Sequence, residues 1–210
     1  SIDNSIKLCG SDNKAKKSVD DIKSTIDKKD RIDGTERLKR LRQIPPETGK
    51  FLAILASGCP KGNFIEIGTS AGYSTMWLSL AAKEKNVKIK TFELLEEKIK
   101  LAKETFIKAE ITDIVDLIEG DALEKLKLIE NISFCFIDCE KDIYDNCWDL
   151  VSEKVIKNGL IVADNAINHY KAIKAMIDKA FTDNRFDCLI VPIGNGELVC
   201  RKKWTVKNCL

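Results

Sequence analysis

The sequence predicts an α/β fold, a doubly wound and mostly parallel seven-stranded sheet with helices on both faces and an antiparallel hairpin at its C-terminal end. Three observations carry this. From Asn63 onward, short β-branched runs alternate with segments whose apolar residues recur every three to four positions. The first run feeds a glycine-bearing turn, Ile67-Gly68-Thr69-Ser70-Ala71-Gly72, which opens a helix. The last two runs are separated by Gly194-Asn195-Gly196, a sequence that favours a tight antiparallel turn. Alternation of strand and helix implies right-handed crossovers and hence a parallel sheet wrapped by helices.

In chain order, Pro45-Pro46 sets the first turn of a helix that carries Phe51, Leu52 and Leu55 and stops at Gly58 and Pro60. Strand 64–67, helix 71–83, strand 87–93, helix 95–109, strand 114–118, helix 122–129, strand 132–137, helix 144–157, strand 160–163 and helix 166–181 follow. The helices rest on spacing. Ile99, Ala102, Phe106 and Ala109 form one stripe, Tyr144, Trp148, Val151 and Val155 a second, and Ile173, Ile177 and Phe181 a third, all read as core contacts. Strands 186–193 and 197–201 complete the seven. Residues 1–42 are read as a basic N-terminal arm with at most an exposed helix near Val19 to Ile26, and residues 43–210 as the one packed domain.

Composition fits one such domain. The chain has 210 residues, 44% of them hydrophobic and 32% charged, enough for a sizeable core and too apolar for general disorder. No segment approaches the roughly 18 uncharged apolar residues of a membrane helix. The net charge of +2 averages an uneven distribution: residues 1–42 hold twelve Lys/Arg against eight Asp/Glu, a local +4 that leaves −2 for the remaining 168 residues. The eight cysteines contain no Cys-x-x-Cys pair or zinc-ligand spacing, and the opening residues lack the apolar stretch of a secretory signal. Buried, reduced thiols in a cytoplasmic protein are therefore expected.

Chemistry concentrates at the carboxyl ends of the strands. The turn after the first strand has Gly68 and Gly72 with three residues between them, which is not the Gly-x-Gly-x-x-Gly spacing of a pyrophosphate site. Glu66, two residues before Gly68, repels phosphate and would help hold the loop or a cationic ligand, so S-adenosylmethionine fits better than a dinucleotide. An ordinary strand-to-helix turn with Ser70 as N-cap is the competing reading. The second strand ends in Glu93, 21 residues after Gly72, where a carboxylate can accept both ribose hydroxyls. After the third strand, Gly120-Asp121-Ala122 would meet the adenine, although an Asp before a helix is also a routine cap.

The fourth and fifth strands end in Asp138 and in Asp164-Asn165. Neighbouring parallel strands would gather these three at one edge, as hard oxygen donors suited to Mg²⁺ acting as Lewis acid and template. Helix capping would explain either Asp alone. Lys141, three residues after Asp138, reaches the same place, and a nearby divalent cation would favour its neutral form, making it a general base.

With these residues collected, the chain resembles the cation-dependent, S-adenosylmethionine-dependent O-methyltransferases that include the catechol and caffeoyl-CoA enzymes. The resemblance runs from about Pro45 to Lys203. It rests on Glu-Ile-Gly-x-x-x-Gly-Tyr-Ser at 66–74, Asp-x-x-Lys-x-x-Tyr at 138–144, Asp-Asn at 164–165 and the closing hairpin. It implies the Rossmann-like class I methyltransferase fold. It implies donor binding by Glu66, Gly68, Thr69, Ser74, Glu93, Ala122 and Asp138 with a further contact at Ile44, metal binding by Asp138, Asp164 and Asn165, and Lys141 as base. Homodimers are common in the family. The stretch at 166–170 lacks the Trp that several small-phenol members carry there, and His169, the only histidine, is a candidate lining of the acceptor pocket.

The reading that follows is methylation of a hydroxyl on a small, metal-chelated, catechol-like acceptor. A second reading keeps the chemistry and changes the acceptor to hydroxylated uridine in tRNA, as in a bacterial branch the chain also resembles. Its motive is the basic segment holding Arg31, Arg37, Lys39, Arg40 and Arg42. Residues 1–35 offer no aromatic for base stacking. A third reading is a non-catalytic S-adenosylmethionine-binding protein on the same fold.

Overall fold

A computed structural model describes residues 43–203 of the chain. The arm read from the sequence, with its helix near Val19 to Ile26, lies outside the described residues, as do Cys9 and Cys209.

The chain runs α1 (Pro46–Gly58), β1 (Asn63–Ile67), α2 (Tyr73–Lys85), β2 (Ile89–Glu93), α3 (Glu96–Lys108), β3 (Val115–Glu119), α4 (Ala122–Lys125), β4 (Ile132–Ile137), α5 (Tyr144–Ser152), β5 (Val155–Ala163), α6 (Tyr170–Thr182), β6 (Phe186–Val191) and β7 (Glu197–Lys202). The seven strands form one sheet in the order β3-β2-β1-β4-β5-β7-β6, the first five parallel and β7 antiparallel to both β5 and β6. The strand order reverses at β1, which pairs with β2 on one side and β4 on the other. In open α/β sheets the crevice beyond the carboxyl ends at such a reversal is where ligands bind.

Strand alternation builds two cores. On β4, Phe134 and Phe136 join Phe64, Leu52, Tyr73, Trp77 and Phe106 on the α1–α2–α3 face. Cys135 and Ile137 join Ile65, Ile67, Tyr144, Trp148, Val151, Ile173 and Met176 on the α5–α6 face. All six residues of β4 are buried, as a central parallel strand covered on both faces requires.

The predicted boundaries change most at three helices. The segment read as helix 122–129 is a four-residue α-helix followed by a 3₁₀ turn at Leu126–Leu128. The helix read to residue 157 stops at Ser152, and Val155 is the first residue of the nine-residue β5, buried in the sheet instead of on a helix stripe. The last helix begins at Tyr170, not 166, because residues 166–168 donate their N–H groups to the β6–β7 loop. Phe181 is 52% exposed whereas Ala180 is buried. At 100° per residue, position 180 lies about 20° from Ile173 and position 181 about 80° from it, so Ala180 inherits the core face.

Candidate active site

β1 carries Glu66 into the middle of the protein, 0% exposed. Its Oε2 accepts hydrogen bonds from the Thr75 hydroxyl on α2 and, at 2.6 Å, from the Thr91 hydroxyl on β2, while Thr91 and Thr69 share a 2.6 Å hydroxyl contact. Of the two roles the sequence allowed, the structure shows Glu66 tying the turn to its neighbours. Burial pushes its carboxyl up to about 7 against the hydroxyls of Ser74, Thr75 and Thr91, which pull it down. Its Oε1 meets no partner among the described residues.

The glycines of this turn have a job the sequence did not reveal. Gly68 has φ +104°, and a Cβ there would lie 2.1 Å from the Asp138 carbonyl oxygen. Gly72, in the left-handed region at φ +87°, would bring its Cβ 2.5 Å from the Phe106 ring on α3. Both are sites of close packing within the protein, one seating the turn on the β4 exit and the other seating α3 on the turn. Gly72 itself stands at the N-cap of α2, so Ser70 is not the cap; its buried hydroxyl oxygen has no partner among the described residues.

Glu93 closes β2 with both oxygens engaged, Oε2 by the Ser70 N–H at 2.8 Å and Oε1 by the Leu94 and Leu95 N–H groups at 3.0 Å. It therefore braces the turn while one lone-pair direction stays open. Asp121 caps α4 by accepting from the Leu123 N–H at 2.8 Å, the capping role that the sequence left open beside adenine contact. Ala122 follows it, half-buried, and Thr69 and Ser74 are buried in the turn and on α2. Ile44 is buried just ahead of α1 and packs in the core of that face.

The register Ile137↔Ala163 makes Asp138 and Asp164 neighbours across β4 and β5, as the sequence required. Asn165, held at φ +71°, donates its amide Nδ2 to Asp138 Oδ1 at 3.2 Å. Lys141 Nζ spends its three donors on Asp138 Oδ1 at 3.2 Å, the Cys139 carbonyl at 3.0 Å and the Tyr144 hydroxyl at 3.0 Å. The four residues named for metal and base thus share one small space, with Asp138 as common neighbour. His169 is exposed and precedes α6.

One acid escaped the sequence reading. Glu197 opens β7, is 0% exposed, and neither carboxylate oxygen has a partner among the described residues. Burial and the charges of Asp164 and Asp138 push its carboxyl up, and burial and Asp138 do the same to Asp164. The available signal was an acid at an inward strand position, directly before Leu198. Three acids crowded against one ammonium hold the Asp164 and Glu197 carboxyls toward their protonated forms, a strain that a divalent cation would relieve, and two carboxylates with a carboxamide oxygen suit a hard ion. Among the described residues no group of three His, Cys, Asp or Glu side chains is arranged to hold a metal ion.

All six described cysteines are free, and burial pushes the Cys59 thiol up to about 12 and the Cys135 thiol well above its ordinary value. No described helix is long and apolar enough to cross a membrane.

A family model described as O-methyltransferase matches residues 16–203. The chain belongs to the O-methyltransferase family. A catechol O-methyltransferase of Niastella koreensis is 33% identical over 135 residues, 62% of this chain and 61% of that protein. Caffeoyl-CoA O-methyltransferase 1 of Eucalyptus globulus is 29% identical over 202 residues, 80% of this chain and 82% of its own length. Among solved structures, the O-methyltransferase from Bacillus cereus in complex with S-adenosylhomocysteine superposes with TM-score 0.73 at 20% identity, covering 93% of each chain. One from Klebsiella pneumoniae gives TM-score 0.75 at 19% identity, over 94% of this chain and 93% of that one. These neighbours carry the same class I methyltransferase fold that the sequence resemblance implied.

Proposed function

We propose that this O-methyltransferase moves the methyl group of S-adenosylmethionine to a hydroxyl of a small, catechol-like acceptor, with a divalent cation held by Asp138, Asp164 and Asn165 and with Lys141 as general base. The observation that carries the reading is the position of Asp138. Its backbone abuts the Gly68 turn, and its carboxylate meets Lys141 and Asn165 beside Asp164. A donor seated on the turn and an acceptor seated at the Asp pair would therefore face one another across a single residue.

On this reading Thr69 and Ser74 line the donor turn, Glu93 directs its open lone pair at the ribose, and the segment from Asp121 to Ala122 borders the adenine. Bound Mg²⁺ supplies Lewis acidity and a template for two adjacent acceptor oxygens. Lys141, only 11% exposed, is held beside Asp138 by Tyr144 and the Cys139 carbonyl. In its neutral form, which a bound cation would favour, it would take the acceptor's hydroxyl proton while the oxygen takes the methyl group and the donor leaves as S-adenosylhomocysteine. The pairing with relatives bearing the names catechol and caffeoyl-CoA O-methyltransferase supports a vicinal dioxygen acceptor.

The deciding experiment offers labelled donor to a catechol panel and to tRNA lacking the modification, each with and without Mg²⁺. Transfer to catechols only when Mg²⁺ is present is the expected result. Transfer to tRNA alone would move the acceptor to hydroxyuridine and give the basic segment before Pro45 its role. No transfer, together with a melting temperature unmoved by millimolar S-adenosylhomocysteine, would reject the donor itself.

A further inference from the structure

The Gly194-Asn195-Gly196 motif reads in the sequence as a tight turn and nothing more. In the structure β6 ends at Val191 and β7 begins at Glu197, so the connection is a longer loop, 192–196, and its extra backbone is used elsewhere. The Gly196 carbonyl accepts from the Ala166 N–H at 2.8 Å, and the Asn195 carbonyl accepts from Ile167 at 3.2 Å and Asn168 at 3.1 Å. Three successive N–H groups immediately after Asp164-Asn165 are thus received by this loop. A two-residue hairpin turn would not reach them.

The clamp places the Asn195 side chain against Asp164. One oxygen of that carboxylate, Oδ1, is held from its own loop by the Asn165 N–H at 2.5 Å. The other, Oδ2, faces the Asn195 amide Nδ2 at 3.5 Å, a long contact that still aims a donor dipole at the oxygen. Each oxygen of the Asp164 carboxylate thus faces an N–H donor of the protein, one close and one distant. Outer partners of this kind orient metal ligands and typically change metal affinity 10- to 100-fold.

We propose that Asn195 is a positioning residue that orients Asp164 for the divalent cation, with the 192–196 loop acting as a clamp on the ligand-bearing loop. The inference rests on the metal reading above and adds to it a residue from the far end of the chain. Because the stitching uses the Asn195 backbone, Asn195→Ala removes the amide and leaves the clamp intact.

The test titrates full-length protein with Mn²⁺ alone, without donor or acceptor, and follows free ion by electron paramagnetic resonance. Asn195→Ala should weaken Mn²⁺ by roughly 10- to 100-fold while its melting temperature and its response to S-adenosylhomocysteine match the parent. Asn195→Gln, which restores an amide, should recover part of the loss. Equal Mn²⁺ affinity in parent and Asn195→Ala would overturn the proposal and leave the metal reading standing, as would equal losses in the Ala and Gln variants. A parent that binds no Mn²⁺ at millimolar concentration would overturn both.

Discussion

Glu66 is a carboxyl that the fold keeps out of water, with its ordinary value of 4.5 raised to about 7 by burial. A raised carboxyl contributes stability that is fully present below its unfolded value and is lost as pH rises through its folded one, here between about 4.5 and 7. Glu66→Gln should therefore melt a few degrees higher than the parent near pH 8 and show no advantage near pH 4.5, measured by thermal denaturation without donor. Identical pH profiles would remove the assigned burial cost. Lys141 offers a kinetic counterpart. Its three contacts hold an amine at Asp138 without touching the Gly68 turn, so Lys141→Ala should lower kcat by roughly 10²- to 10⁴-fold and change S-adenosylhomocysteine affinity less than about twofold. Equal rates in variant and parent would dismiss its role as base. Asp138, Asp164, Asn165 and Lys141 were legible in the sequence because strand ends in a parallel sheet converge whatever the helices do. Glu197 was not, because its entry into the site depends on the register of an antiparallel hairpin that follows a loop of unpredicted length.

At the scale of elements, the turn from β1 to α2 is held by its neighbours. Strand and helix order was readable because the alternation of apolar runs dictates it. The purpose of the turn's glycines was not, since close packing against Asp138 and Phe106 joins residues far apart in sequence. Gly72→Ala adds a methyl where the Phe106 ring stands at 2.5 Å and strains a backbone at φ +87°, and should cost about 1–3 kcal/mol in chemical denaturation. Phe106→Leu in the same background should destabilise by less than the sum of the single effects, because the clash is shared. Strict additivity would show that the ring gives way without cost. The helix ends that moved, at Ser152 and Tyr170, are both set by contacts outside the helix. At the first the sheet claims Val155 for β5, and at the second the β6–β7 loop takes the N–H groups of residues 166–168, so in each case a neighbouring element claims residues whose side-chain spacing also suits a helix.

At the scale of the molecule, the buried acids Asp164 and Glu197 stand beside the half-buried Asp138 at one end of a sheet that is otherwise sealed by two apolar cores. Their mutual repulsion should make the metal-free protein lose stability as the Asp164 carboxyl ionises, its folded value lying above its unfolded one. On the metal reading, Mg²⁺ at about 10 mM should raise the melting temperature more near pH 8 than near pH 5.5, where protons compete for the same oxygens. A shift of the same size at both values would disconnect the ion from these carboxylates.

The seam between β1 and β4 carries a further consequence, for the order in which this protein becomes competent. Glu66 and Asp138 stand in neighbouring strands but some seventy residues apart in the chain, with two complete strand–helix units intervening. A chain synthesised only through the first three strands therefore holds Gly68, Thr69, Ser74 and Glu93 but lacks the Asp138 carbonyl against which Gly68 packs. An opening that parts β1 from β4 would therefore separate the Gly68 turn from Asp138 and, with it, from Lys141 and Asn165.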